Sequence, residues 1–177
     1  MIRLFLVGYM GAGKTKLGQA IAKELQLSFI DLDQYIEERR FKPIPALFAE
    51  FGEEGFRKIE QGYLREVAQF ENVLIATGGG TACFENNMDF MNSAGDTVYL
   101  QLNAEELFKR LHRKKQNRPL LNTVSDDDLL TKIREMLSQR ESFYNKAKYI
   151  LPTGGLNKEE SLTLFKQIYS KPPSPTI

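Results

Sequence analysis

Near the N-terminus, Gly8-Tyr-Met-Gly-Ala-Gly-Lys14-Thr15 sets two glycines around four residues and follows them with Lys-Thr. A loop of this kind turns backbone N–H groups inward, and a helix starting behind it adds positive partial charge. Lys14 then reaches the β- and γ-phosphate oxygens of a nucleotide, and the Thr15 hydroxyl is placed to ligate Mg²⁺. The chemistry implied is capture of a nucleoside triphosphate, with Gly11, Ala12, Gly13, Lys14, Thr15 and Lys16 as binding positions. That establishes a nucleotide, not a reaction.

Other residues carry weaker signals of their own. Asp31 and Asp33 alternate at the end of a short apolar run, so on a strand their carboxylates point to opposite faces, one toward a metal and one toward an acceptor. On spacing alone, two solvated loop aspartates are the less favoured alternative. Gly78-Gly79-Gly80 is either a tight turn after a strand or a backbone that comes close to a substrate and offers it N–H donors. Arg57 and Glu60 are three apart on an expected helix, close enough for the acid to fix the guanidinium. Taken alone, Arg57 is an ordinary surface arginine. Cys83 is expected to be a small buried or loop residue, and His112, in a basic stretch, a solvated one.

The elements that must position these groups alternate. Apolar runs at Ile2–Val7, Ser28–Asp31, Val73–Ala76, Thr97–Leu102 and Tyr149–Leu151 read as five strands, with helical patterns between them. Thr15 to Gln26 is an amphipathic helix. Asn103 and Asn157 each precede a glutamate by three residues, so helices should start there and run toward Leu111 and Tyr169. Ser125 should cap another helix whose first turn holds three aspartates. The alternation predicts a parallel sheet covered on both faces, a doubly wound α/β fold. Two stretches depart from it. Residues 33–70 read as several helices in succession, an inserted helical region, and residues 112–124 as an irregular lid.

A chain of 177 residues with 42% hydrophobic content suits one domain, here 1–171, followed by a Pro-rich tail, 172–177, expected to be disordered. With 24 Lys+Arg against 23 Asp+Glu there is no global field to collect nucleic acid or an anionic membrane, so an anion must be caught by local groups. One cysteine makes no internal disulfide, and no signal peptide or membrane-length apolar run is evident. The expectation is a cytoplasmic protein, a monomer, with no nucleic-acid or membrane partner. A nucleotide-driven switch is disfavoured because Asn145-Lys-Ala-Lys and Asn157-Lys-Glu-Glu both lack the closing aspartate of a guanine-reading motif.

From Gly8 to about Lys148 the chain resembles the shikimate kinases. The likeness is carried in order by Phe29-Ile-Asp31-Leu-Asp33, Phe51-Gly-Glu-Glu-Gly-Phe-Arg57-Lys-Ile-Glu60, Ala76-Thr-Gly-Gly-Gly80, Arg118-Pro-Leu-Leu121, and Arg140 with Tyr144. The resemblance implies a three-layer α/β/α fold of the P-loop NTPase type, with a five-stranded parallel sheet, an inserted substrate-binding helical region and a lid. It implies ATP-dependent phosphorylation of the shikimate 3-hydroxyl, in the pathway to chorismate and the aromatic amino acids, with Mg²⁺ as cofactor. It puts Asp31 near the metal and Asp33 on the shikimate hydroxyls, and makes Arg57 and Arg140 carboxylate-binding arginines. The glycine triplet becomes part of the substrate site, Arg110 stacks on adenine, and Arg118 acts from the lid on the transferring phosphoryl group. Lys14, Asp33 and Arg118 are thereby the catalytic set. The chain departs from the family in a lid stretch one residue longer between Arg110 and Arg118, and in Thr153-Gly-Gly-Leu-Asn157, which lacks an Arg- or Pro-bearing adenine loop.

Overall fold

The computed structural model describes residues 1–116 and 126–170. Arg118, the core of the expected lid, Ser125 and the tail lie outside the described residues. Five strands, β1 (Arg3–Val7), β2 (Ser28–Asp31), β3 (Val73–Ala76), β4 (Asp96–Gln101) and β5 (Tyr149–Pro152), pair in parallel in the order β2-β3-β1-β4-β5. Each lies within a residue of the apolar run that foretold it. β1 takes the centre because it is apolar on both faces: Leu4, Phe5, Leu6 and Val7 are all wholly buried, as fits a strand covered by helices above and below.

The helices are α1 (Lys14–Glu24), α2 (Leu32–Arg40), α3 (Ile44–Val67), α4 (Asn87–Ala94), α5 (Ala104–Gln116), α6 (Asp126–Tyr144) and α7 (Lys158–Tyr169), with a 3₁₀ turn at Thr81–Cys83. The two asparagine caps form as read. Asn157 Oδ1 accepts from the Glu160 N–H at 2.9 Å while the Glu160 carboxylate accepts from the Asn157 N–H at 2.8 Å, and Asn103 and Glu106 repeat the arrangement. One boundary differs. The helix expected to stop near Leu111 continues to Gln116, so the first five residues of the stretch assigned to the lid are helical. No glycine, proline or β-branched residue lies between 112 and 116 to end it. His112, expected at the solvated surface, is half-buried, its ring stacked on Phe108 at 5.3 Å. None of the described helices is long and apolar enough to cross a membrane.

Between β2 and β3, α3 is two helices joined at Gly52, whose φ of 69° and ψ of 179° belong to glycine almost alone. A Cβ at this position would meet nothing within 4 Å. Gly52→Ala should therefore lower the unfolding free energy by about 1–3 kcal/mol through backbone strain alone. Urea denaturation checks this, and an unchanged midpoint would show that the break straightens at no cost.

The sheet decides where the chemistry sits. The carboxyl ends of β2, β3 and β1 are neighbours, so Asp31, the residues after Ala76 and the loop after Val7 emerge side by side. This edge, where strand order reverses, is where open α/β sheets hold ligands.

Candidate active site

The loop after β1 ends at Gly13, and α1 begins at Lys14 with no side chain capping its first N–H groups, which leaves them directed at the cavity in front. Lys14 is almost buried, and its Nζ donates to the carbonyls of Gly8 at 2.6 Å and Tyr9 at 3.0 Å. The Thr15 hydroxyl donates to Asp31 Oδ2 at 2.6 Å. Arg110, from α5, donates to the carbonyl of Ala12 at 2.8 Å and so lies along the loop, bordering the same cavity as Gly11, Gly13 and Lys16. That cavity measures about 620 Å³ and is closed on its far side by Asp31, Asp33, Gly78 and Gly79.

The two aspartates are not on a strand together. β2 stops at Asp31, whose Oδ1 accepts from the N–H groups of Asp33 at 3.2 Å and Gln34 at 3.4 Å and caps α2. Asp33 thus stands in the first turn of a helix, and the alternation expected of a strand end does not apply. A short carboxylate can satisfy its own chain's free N–H groups, and that bond turned the backbone one residue sooner. The outcome still separates them. Asp31 is turned to Thr15 while Asp33 Oδ1 packs against Gly78, where a Cβ would lie 2.9 Å from it.

A second cavity of about 500 Å³ opens beside the first and is walled by Arg57, Gly80, Cys83, Phe84 and Arg140 among others. Arg57 Nη1 donates to Glu60 Oε2 at 2.7 Å, as the helical spacing required, and its guanidinium also faces the rings of Phe56 at 5.5 Å and Phe48 at 5.8 Å. Arg140, from α6, lies over the Tyr9 ring at 5.6 Å and donates to the Gly79 carbonyl at 3.4 Å, a carbonyl that also accepts from the Tyr144 hydroxyl. The glycine triplet permits this crowding. A Cβ on Gly80 would overlap the Arg57 guanidinium, and one on Gly79 would press the backbone N of Met10 at 3.0 Å. Cys83 proves to be part of this wall, and burial pushes its thiol pKa up, away from the reactive thiolate.

The acidity of Asp33 is altered by its surroundings. Burial, then the negative charges of Glu60 and Asp31, raise its pKa to about 6, against a smaller opposing pull from Lys14 and Arg57. A carboxylate so poised is a good proton acceptor near neutral pH. The described residues among those singled out from the sequence therefore gather at one edge of the sheet, in two adjoining cavities. The sequence reading missed Thr77, which borders the first cavity, Thr81, whose hydroxyl donates to Glu60, and Tyr9, whose ring lies under Arg140. Thr77 and Thr81 flank the glycine triplet that gave the signal, and Tyr9 lies inside the loop motif, at a position the motif leaves open.

A phosphate loop at the head of α1, an acid poised for a proton and arginines aimed into the next cavity are the parts of a P-loop kinase for a small anionic molecule. The chain belongs to the shikimate kinase family, whose profile matches residues 10–169. It is 51% identical over 162 residues to a shikimate kinase of Phocaeicola vulgatus, spanning 92% of this chain and 93% of that one. The crystal structure of the Bacteroides thetaiotaomicron shikimate kinase superposes with a TM-score of 0.90 at 48% identity, covering 96% of this chain and 99% of the other. A shikimate kinase from Acinetobacter baumannii, solved in complex with shikimate, gives a TM-score of 0.83 at 34% identity over 96% and 94% of the two chains.

Proposed function

We propose that this protein transfers the γ-phosphoryl group of ATP to the 3-hydroxyl of shikimate, giving shikimate 3-phosphate and ADP on the route to chorismate. The observation that carries the reading is the pair Arg57 and Arg140 in the wall of a cavity that adjoins the phosphate loop across Gly78–Gly80. A planar guanidinium grips a carboxylate at two points, and shikimate presents one. With that end held, the acceptor's hydroxyls fall toward Asp33. Its carboxylate orients the attacking oxygen and takes its proton, while Lys14 stabilises charge on the transferring group. Arg110 borders the nucleotide cavity where a flat cation would stack on a purine. Arg118 is assigned to the phosphoryl group on its sequence match.

Thr15 and Asp31 suit Mg²⁺. Their oxygens are 2.6 Å apart, both are hard donors, and Mg²⁺ bound with a nucleotide is commonly held by one or two protein oxygens together with phosphates and water. No group of three or more His, Cys, Asp or Glu among the described residues is placed to hold a metal. The cation would neutralise charge on the β- and γ-phosphates. The protein is further proposed to act as a cytoplasmic monomer, with no nucleic-acid or membrane partner.

A coupled ADP-release assay over shikimate, quinate, gluconate and several nucleosides tests the reading. Shikimate should be the preferred acceptor, and Arg57→Ala and Arg140→Ala should each raise its KM by about 10–100-fold, the loss of a charge-assisted hydrogen bond, with little change for ATP. Equal rates on gluconate or a nucleoside would exclude it, and an unchanged shikimate KM in both variants would exclude the arginine clamp.

A further inference from the structure

Thr81 and Glu60 are both wholly buried, on different elements, and touch. The Thr81 hydroxyl donates to Glu60 Oε1 at 2.6 Å, while Glu60 Oε2 accepts from Arg57 Nη1 at 2.7 Å. One buried carboxylate is thus divided between two partners, an oxygen to each. Arg57 keeps its Nη2 edge, which lies against Gly80 and whose other acidic neighbour is the exposed Glu53, 4.0 Å away.

This division is not what the pair would choose alone. An arginine and a carboxylate without competitors favour a two-point fork, in which both oxygens meet two parallel N–H groups. Were Oε1 also drawn to Arg57, the fork would take up a second N–H of the guanidinium, on the Nη2 edge that lies against Gly80. The Thr81 hydroxyl holds Oε1 elsewhere. Thr81 is itself fixed, since its carbonyl accepts from Asn87 Nδ2 at 2.9 Å, and the wholly buried Asn87 accepts from Gln61 Nε2 of α3 at 3.1 Å. Gly78 closes the remaining side: a Cβ there would lie 2.8 Å from Glu60 Oε1 and 3.0 Å from Thr81 Oγ1.

The geometry points to Thr81 as a positioning residue for the acceptor: its hydroxyl restricts Glu60 to a single contact with Arg57 and so keeps the second edge of that guanidinium turned toward the acceptor's carboxylate. The inference rests on the reading that Arg57 grips that carboxylate. It adds a requirement that neither arginine nor glycine discloses, a hydroxyl at the first residue after the triplet.

Thr81→Val keeps the shape and removes the donor, and Thr81→Ala, which asks for no space, is measured beside it. Both should raise the shikimate KM about tenfold and leave kcat and the ATP KM within twofold, while Thr81→Ser should restore the wild-type value. Calorimetric titration supplies a second readout. Methyl shikimate, whose ester carries no charge for Arg57, should bind the variants and the wild type alike, so the preference for acid over ester should fall about tenfold. An unchanged shikimate KM in both variants overturns the proposal, as does an equal loss for acid and ester or a joint change in kcat and both KM values. Wild-type protein inactive on shikimate but active on another acceptor overturns instead the function on which the proposal rests.

Discussion

Asp33→Asn should lower turnover of shikimate by on the order of a thousandfold and at the same time make the ligand-free protein harder to unfold. The first effect follows from chemistry. The amide has nearly the carboxylate's shape but offers one oxygen where two stood and takes no proton. ATP binding should survive, and no Mg²⁺ concentration should restore the rate, because Asp31 and Thr15 are untouched. The second effect follows from burial. The carboxyl titrates at about 6 in the folded chain against an ordinary 3.8, so between those values the folded state holds the proton more often than the unfolded state does. Stability contributed by this group therefore falls as pH rises from 3.8 to 6, and at pH 7.5 the whole penalty is present, about 3 kcal/mol at most. Asparagine carries no charge and escapes it. The variant's melting temperature should exceed the wild type's by a few degrees at pH 7.5, and the gap should close toward pH 4. In the wild type, kcat/KM for shikimate should drop below about pH 6. A variant that retains a tenth of the wild-type rate would remove Asp33 from proton transfer, and a melting temperature that falls would show that its charge is compensated in the fold.

Lys14→Ala should reduce kcat to a similar degree for a different reason. The ammonium is already desolvated at rest, held by the carbonyls of Gly8 and Tyr9, so it meets the phosphates without first shedding water. Removing it takes positive charge from the β- and γ-phosphates as the bond to the leaving group lengthens, an interaction stronger in the transition state than in the bound substrate. Single-turnover measurement at saturating ATP and shikimate should therefore show a fall on the order of a thousandfold, with an unaltered circular dichroism spectrum. A rate within tenfold of wild type would place the phosphate charge on other groups.

Much of this was legible in the sequence because it is local. The strands are short apolar runs bounded by turn residues, the caps on α5 and α7 are pairs three residues apart, and Arg57 and Glu60 meet because helix geometry brings such pairs together. Asp33 was misplaced for a local reason too, since Asp31 with Gln34 three residues later reads as a helix cap as readily as a strand end. The bond from Thr81 to Glu60 joins residues 21 apart on separate elements, and that of Tyr144 to Gly79 spans 65, distances over which no periodicity carries information. Such contacts depend on how α3 and α6 settle on the sheet, which is decided by packing.

The central place of β1 also bears on how the molecule is made. Its partners β3 and β4 begin at Val73 and Asp96, so among the strands of this sheet β1 waits longest for its first neighbour. At a translation rate of roughly 5–20 residues per second, the apolar run Leu4–Val7 stays without a sheet for several seconds after it is joined. The nascent chain is most prone to aggregate in that interval, and a ribosome paused between the codons for Glu24 and Val73 would prolong it.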